Sequence, residues 1–129
     1  MPLNYKYDSK LNIVYLFPEG EITLPEIEEH HRELIDDKEI SEGFVEMVYL
    51  DNVTKFHFSS KSSSAILTSY KELIKSKGVK AIVCVAGNDL QYGIGRMLQI
   101  TFEMELPQLI THVVRSKKKA HEILENITG

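Results

Sequence analysis

The most informative segment of the chain is residues 79–89, which read Val-Lys-Ala-Ile-Val-Cys-Val-Ala-Gly-Asn-Asp. Its apolar run over residues 79–86 is typical of a central β-strand that is buried on both faces. The turn residues 87–89 come directly after it. A helical pattern then covers residues 90–105 and has to end before Pro107. A buried strand that leads through a short turn into a helix predicts an α/β fold.

The N-terminal part of the chain extends this pattern. Apolar residues alternate with polar ones over residues 3–7, and residues 13–17 form a second apolar run, so the two segments predict a β-hairpin. Thr23 and Glu26 have the spacing of a capping box, which predicts the start of the first helix.

The same alternation continues toward the C-terminus. Residues 44–50 predict a third strand, and the serine-rich residues 59–64 predict the entrance of a second helix that ends at Gly78. Residues 109–114 predict a last strand, followed by a helix that is capped by Ser116. The predicted order is β-β-α-β-α-β-α-β-α. It indicates a mixed, largely parallel sheet of about five strands with about four helices.

Composition is that of one folded domain, which we expect to span residues 1–129. The chain is 43% apolar and carries a net charge of −4. Eleven acidic and two basic residues lie between Glu19 and Glu46. The one basic cluster, Arg115 with Lys117, Lys118 and Lys119, is typical of a solvated helix end. Because nucleic-acid binding needs a basic face, we do not expect a nucleic-acid partner.

Cysteine content and hydropathy bear on the compartment. Cys84 is the sole cysteine, and its place in an apolar run predicts a buried small hydrophobe. No apolar run approaches the roughly 18 residues of a membrane span, and the first residues have no apolar signal core. We therefore expect a cytoplasmic protein.

No group of residues predicts catalysis, a metal site or a cofactor site. The adjacent His30 and His31 point about 100° apart on a helix, so they cannot share a metal ion. His31 lies on the apolar side of the first helix, which predicts a hydrogen-bonded core histidine. Gly93 and Gly95 lie inside a helical pattern, which favours close packing over a phosphate loop. We expect a protein that is not an enzyme.

Three surfaces are candidate binding regions. The carboxyl ends of the strands should bring Asp51, Asn52, Asn88 and Asp89 to one edge, where they serve as turn residues or bind a ligand. The first helix presents an acidic face, which promotes solubility or attracts a basic partner. That face consists of Glu28, Glu29, Glu33 and Asp36.

The third helix has an apolar arc of about 200°, whereas covering one side of a sheet needs roughly 100°. The surplus side chains are mainly Met97, Ile100 and Met104. A neighbouring helix covers them, or they form a homodimer contact, or they line an apolar pocket.

Several segments together resemble the STAS domains of sulfate transporters and anti-sigma-factor antagonists. The resemblance covers nearly the whole chain and is strongest to the SpoIIAA-like family of small bacterial proteins, which is also similar to SEC14-like proteins. It implies a STAS-type α/β fold and no catalytic motif. The segments that carry it are residues 48–54, 81–86, 92–97 and 113–120.

The resemblance also implies roles. In the sporulation antagonists a serine within Asp-Ser-Ser-Gly is phosphorylated at the start of the second helix; that motif corresponds here to Phe58-Ser59-Ser60-Lys61, which keeps the two serines. The leading hypothesis is a regulatory or scaffolding module that binds a protein and forms a homodimer. The alternative is a carrier or sensor of a small apolar ligand.

Overall fold

The computed structural model describes residues 3–57 and 60–128, and it confirms the predicted α/β fold. Within these residues, seven strands and four helices follow one another along the chain. They are β1 (Tyr5–Asp8), β2 (Ile13–Leu16), β3 (Gly20–Thr23), α1 (Leu24–Asp36), β4 (Val45–Tyr49), β5 (Val53–His57), α2 (Ser60–Lys77), β6 (Ala81–Val85), α3 (Asp89–Glu105), β7 (Ile110–Val114) and α4 (Lys117–Thr128).

The main sheet has five strands in the order β1-β2-β4-β6-β7. β1 and β2 form the predicted antiparallel hairpin, and every other pair of neighbours is parallel. The parallel strands therefore end at one edge of the sheet, where the loops after β4, β6 and β7 lie together.

Successive side chains along each strand point to opposite faces of the sheet, so they pack in two different apolar layers. Leu34 of α1, Leu73 of α2 and Phe102 of α3 pack in one buried cluster with Val48 and Ile82 of the sheet. The other face of the sheet is covered by α4. On that face, Ala120 and Leu124 pack in a cluster with Met47, Val83 and Val114.

The helix ends follow the predicted chemistry. The Glu26 carboxylate accepts a hydrogen bond of 3.2 Å from the backbone N–H of Thr23, which precedes α1. Gly78 ends α2 with a φ of +60°, and its N–H donates to the carbonyl of Ile74 over 2.8 Å. Glycine adopts this left-handed conformation without steric cost. The capping pair confirms the predicted start of α1, and Gly78 confirms the predicted end of α2.

The sequence did not predict β3 and β5, which form a separate two-stranded parallel sheet. Each strand buries one side chain, Ile22 in β3 and Val53 in β5. The pairing is also irregular, with a register shift between Gly20 and Glu21. Strands this short, with one buried residue each, leave no period-two pattern for sequence analysis to detect.

The two glycines inside α3 differ in their surroundings. A Cβ on Gly95 would lie 2.9 Å from Cγ1 of Val113 on β7, so the prediction of close packing is confirmed there. A Cβ on Gly93 would meet nothing within 4 Å, so the prediction is wrong for Gly93. Gly95 thus sets the close approach of α3 to the sheet.

Candidate functional site

A cavity of about 90 Å³ lies between the sheet and the three helices on the same face. Its walls are mainly apolar and include Ile27 of α1, Ile66 of α2 and Leu98 of α3. A buried water needs roughly 10–15 Å³ in the same measure, so the space exceeds that of one water. The polar side chains in its lining are His30, His31, Tyr70, Cys84, Gln99 and Thr111.

A buried carboxylate lies beside this cavity. Glu46 is the second residue of β4 and is completely shielded from solvent. Its carboxylate accepts hydrogen bonds from Nε2 of His30 at 2.9 Å and from the Tyr70 hydroxyl at 3.2 Å. Burial raises the pKa of Glu46, but the hydrogen bond from His30, the electrostatic attraction of that ring and the hydrogen bond from Tyr70 outweigh burial and hold the pKa below its usual value. Glu46 is therefore an anion with two donors.

Sequence analysis missed Glu46 and its partners as a unit. The signal was a lone acidic residue inside the apolar run of residues 44–50. Acidic residues are almost never fully buried unless they are paired, so this position required donors from elsewhere in the chain. His30 and Tyr70 supply them from two different helices.

The remaining polar side chains at the cavity are neutral. Burial lowers the pKa of His31 to about 4, and its Nδ1 is hydrogen-bonded to the hydroxyl of Ser69, so the prediction of a hydrogen-bonded core histidine is confirmed. Burial, with a smaller effect of Glu46, raises the pKa of Cys84 to about 12. Since the thiolate is the nucleophilic form, Cys84 is unreactive at neutral pH.

Two buried polar atoms have no hydrogen-bond partner within the part of the chain that the structure describes. They are Nδ1 of His30 and Oε1 of Gln91. The other end of the Gln91 side chain donates to the carbonyl of Val53 over 2.7 Å. An unpaired buried polar atom costs about 1–3 kcal/mol, so each is a place where a bound molecule would stabilise the fold.

Of the four polar residues predicted to share the strand-end edge, Asp51 and Asn52 follow β4, Asn88 lies between β6 and α3, and Asp89 is the first residue of α3. Asp51 accepts from the N–H of Gly87 over 3.0 Å, and Asn88 accepts from the N–H of Gln91 over 2.8 Å. The carbonyl of Asn52 accepts from Gly20, and Asp89 pairs with Arg115 over 2.9 Å. These are the contacts of turn and cap residues. Among the described residues, no group of three His, Cys, Asp or Glu side chains could hold a metal ion.

The outer face of α3 is apolar and exposed. Met97 is 70% exposed, Ile100 51%, Met104 75% and Leu90 65%. No neighbouring helix covers them within the described chain, so that alternative is wrong. They also do not line the cavity, whose α3 wall is Ile94, Gly95, Leu98, Gln99 and Phe102. We call Leu90, Gly93, Met97, Ile100 and Met104 the α3 stripe.

The predicted charged surfaces lie apart from the cavity. Glu29 and Asp36 of α1 are exposed, and Glu28 and Glu33 are half-buried. The basic residues Arg115, Lys117, Lys118 and Lys119 are exposed at the start of α4. Ser60 is the first residue of α2, whereas Ser59 and the side chain of Ser60 lie outside the described residues.

Comparisons with known proteins give a fold but no close relative. No family model matches the chain, and no curated protein does. A solved structure of an uncharacterized DUF3478 protein with a SpoIIAA-like fold, from Shewanella loihica PV-4, superposes with a TM-score of 0.58 at 13% identity. The match covers 95% of this chain and 91% of that one.

A second solved structure has the same architecture. It is the anti-sigma factor antagonist SpoIIAA in its unphosphorylated form, which superposes with a TM-score of 0.55 at 6% identity and covers 95% of this chain and 97% of that one. The chain has the SpoIIAA-like fold. At these identities the likeness shows the fold alone. Neither of these SpoIIAA-like neighbours is named as an enzyme.

The arrangement of the SpoIIAA-like domain confirms the fold implied by the resemblance. Of the helices in the described residues, none is long and apolar enough to cross a membrane. The features that carry chemistry are the cavity with its buried Glu46 cluster and the α3 stripe. They lie on opposite faces of α3.

Proposed function

We propose that this chain is a non-catalytic regulatory or scaffolding module that binds proteins through the α3 stripe, with a second copy of the chain as a partner. The observation that carries the proposal is the exposure of four large apolar side chains along one face of α3. Single exposed apolar residues are ordinary, but a contiguous apolar patch marks an interaction site. The solved anti-sigma factor antagonist with this fold supports a regulatory role.

The spacing of the α3 stripe fits a partner helix. Its members are separated by three, four, three and four residues, which is the pattern of a coiled-coil seam. Over 14 residues the seam is about 21 Å long. The open space at Gly93 provides a gap into which a large side chain of the partner helix fits.

Charge along the flank of the stripe supports a second copy as the partner. Arg96 and Glu103 lie on the same side of the stripe and are both exposed. In an antiparallel pair with Met97 opposite Ile100 of the other copy, coiled-coil geometry places Arg96 of each helix beside Glu103 of the other. Two opposite-charge pairs would therefore frame the apolar seam.

Sedimentation equilibrium of purified protein tests this proposal. We expect a dimer for the wild type and a monomer with an unchanged unfolding midpoint for Ile100→Asp, because a charge in the seam loses its hydration only in the dimer. Leu11→Asp is the matched control, since Leu11 is 53% exposed on a distant loop, and it should remain dimeric. A wild type that stays monomeric at high concentration would contradict the proposal.

The serines at the start of α2 support a phosphorylation switch as part of the same role. Ser60 begins the helix, where backbone N–H groups and the helix dipole favour a phosphate. Mass spectrometry of the protein from its native cells, with full coverage of the peptide, should find phosphate on Ser59 or Ser60. Its consistent absence there would remove the switch from the proposal.

The cavity supports a second candidate function, that of a carrier or sensor for a small apolar ligand. Its apolar walls and its volume of about 90 Å³ carry this candidate. An apolar cavity binds small apolar molecules because they gain contacts that the empty cavity lacks. Binding of such a molecule, detected by shifts in the NMR signals of the lining residues, tests it.

A further inference from the structure

We propose that the cavity binds a neutral, mainly apolar molecule with one hydroxyl group, and that the hydroxyl lies at the end lined by His30 and Tyr70. This inference rests on the second candidate function and names the chemical class of its ligand. It concerns the inner face of α3 and is independent of the α3 stripe.

The lining of the cavity argues for a neutral ligand. None of its residues is Asp, Glu, Lys or Arg. A charged ligand would lose its hydration there without meeting an opposite charge in the wall, at a cost of several kcal/mol. Since a dry cavity of about 150 Å³ accommodates the six non-hydrogen atoms of benzene, the volume of about 90 Å³ here suits about four.

One end of the cavity is polar and incompletely paired. His30 and Tyr70 both line it, and both donate to the carboxylate of Glu46 behind them. The Tyr70 ring packs edge-on against His31 at a centroid distance of 4.3 Å, so the polar side chains form one cluster. Within the described chain, Nδ1 of His30 has no partner.

A hydroxyl is the group that fits this cluster best. Because Glu46 is an anion, Nε2 of His30 carries the proton that it donates, and a neutral His30 then leaves Nδ1 as an acceptor. A protonated His30 would instead have an N–H at Nδ1 that requires a hydrogen-bond acceptor. A hydroxyl both donates and accepts, so it satisfies either form. It can also donate to the Tyr70 oxygen, whose own proton is directed to Glu46.

NMR titration of the full chain with 1-propanol and 1-chloropropane tests the inference. The two probes have the same number of non-hydrogen atoms and differ in the hydroxyl. We expect both to shift the signals of Leu98 and Phe102, and 1-propanol to bind at least as tightly as 1-chloropropane. A cavity without a partner for the hydroxyl would bind 1-propanol at least about tenfold more weakly, because the buried O–H would be unpaired.

Two variants sharpen the comparison. Tyr70→Phe removes one partner of the hydroxyl and should shift the affinity ratio toward 1-chloropropane by about fivefold. Leu11→Asp, on the exposed loop between β1 and β2, should bind both probes as the wild type does. If Tyr70→Phe does not fold, the comparison in the wild type decides alone.

The outcomes separate the inference from the function on which it rests. Binding of 1-chloropropane with tenfold weaker binding of 1-propanol would leave the carrier function in place and overturn the hydroxyl assignment. An affinity ratio that is the same in the wild type and in folded Tyr70→Phe would overturn it too. If neither probe shifts the lining residues, both the inference and the carrier function are wrong.

Discussion

Lowering the pH from 7.5 to 4.5 should destabilise the protein through His31. Burial lowers the pKa of His31 from 6.5 to about 4, so the folded state holds this ring neutral while the unfolded chain takes up a proton. Stability falls wherever the unfolded state binds more protons than the folded state. The stabilisation is therefore present above pH 6.5 and is lost as the pH falls toward 4.

The size of the effect follows from the shift. One pKa unit corresponds to about 1.4 kcal/mol, and a shift from 6.5 to about 4 leaves a loss of about 2.5 kcal/mol between pH 7.5 and 4.5. That is a large part of the stability of an ordinary domain, which is about 5–15 kcal/mol. The pH range from 7.5 to 4.5 lies above the range in which folded Glu46, whose pKa is lowered, takes up a proton.

Urea unfolding at several pH values measures this loss. The test variant is His31→Gln, whose amide does not titrate and can still bond to Ser69; it should remove most of the pH dependence. The control is His121→Gln on the exposed side of α4, which should keep it. If wild type and His31→Gln lose the same free energy of unfolding over this range, His31 is not the neutral buried group described above.

Two further predictions concern packing and the buried charge. Gly95→Ala should lower the free energy of unfolding by about 1–2 kcal/mol because its Cβ meets Val113, whereas Gly93→Ala in the same helix should raise it by about 0.5–1 kcal/mol; equal effects in urea unfolding would refute this. His30→Leu should cost about 3–5 kcal/mol by removing one of the two donors of the buried Glu46 carboxylate, and adding Glu46→Leu should recover most of that loss. Thermal unfolding that finds the double variant no more stable than the single one would contradict the second prediction.

Much of the fold was predictable because its signals are local. A capping pair at Thr23 and Glu26, a terminal glycine at Gly78 and an apolar run over residues 79–86 each depend on a few neighbouring residues. Signals of this kind along the chain predicted four helices and the five strands of the main sheet. β3 and β5 were not predicted because their pairing joins short segments that are distant in sequence.

The candidate site was less predictable because it depends on contacts between elements. The helical pattern of α1 placed His31 on its apolar side, but His30 is buried as well. α1 packs against both the sheet and α2, so a pattern with one apolar face underestimates its burial. The cavity depends on how side chains from three helices fill the same space, which periodicity along one segment does not encode.

Helix α3 has one face toward the cavity and the α3 stripe on the other, and Gly95 holds it directly against Val113 of the sheet. Ligand binding in the cavity and partner binding at the α3 stripe would therefore both act on this one helix. Linked equilibria are reciprocal. A ligand that changed the affinity of dimerisation by some factor would itself bind the dimer with an affinity changed by the same factor. The two binding events would then be coupled through α3.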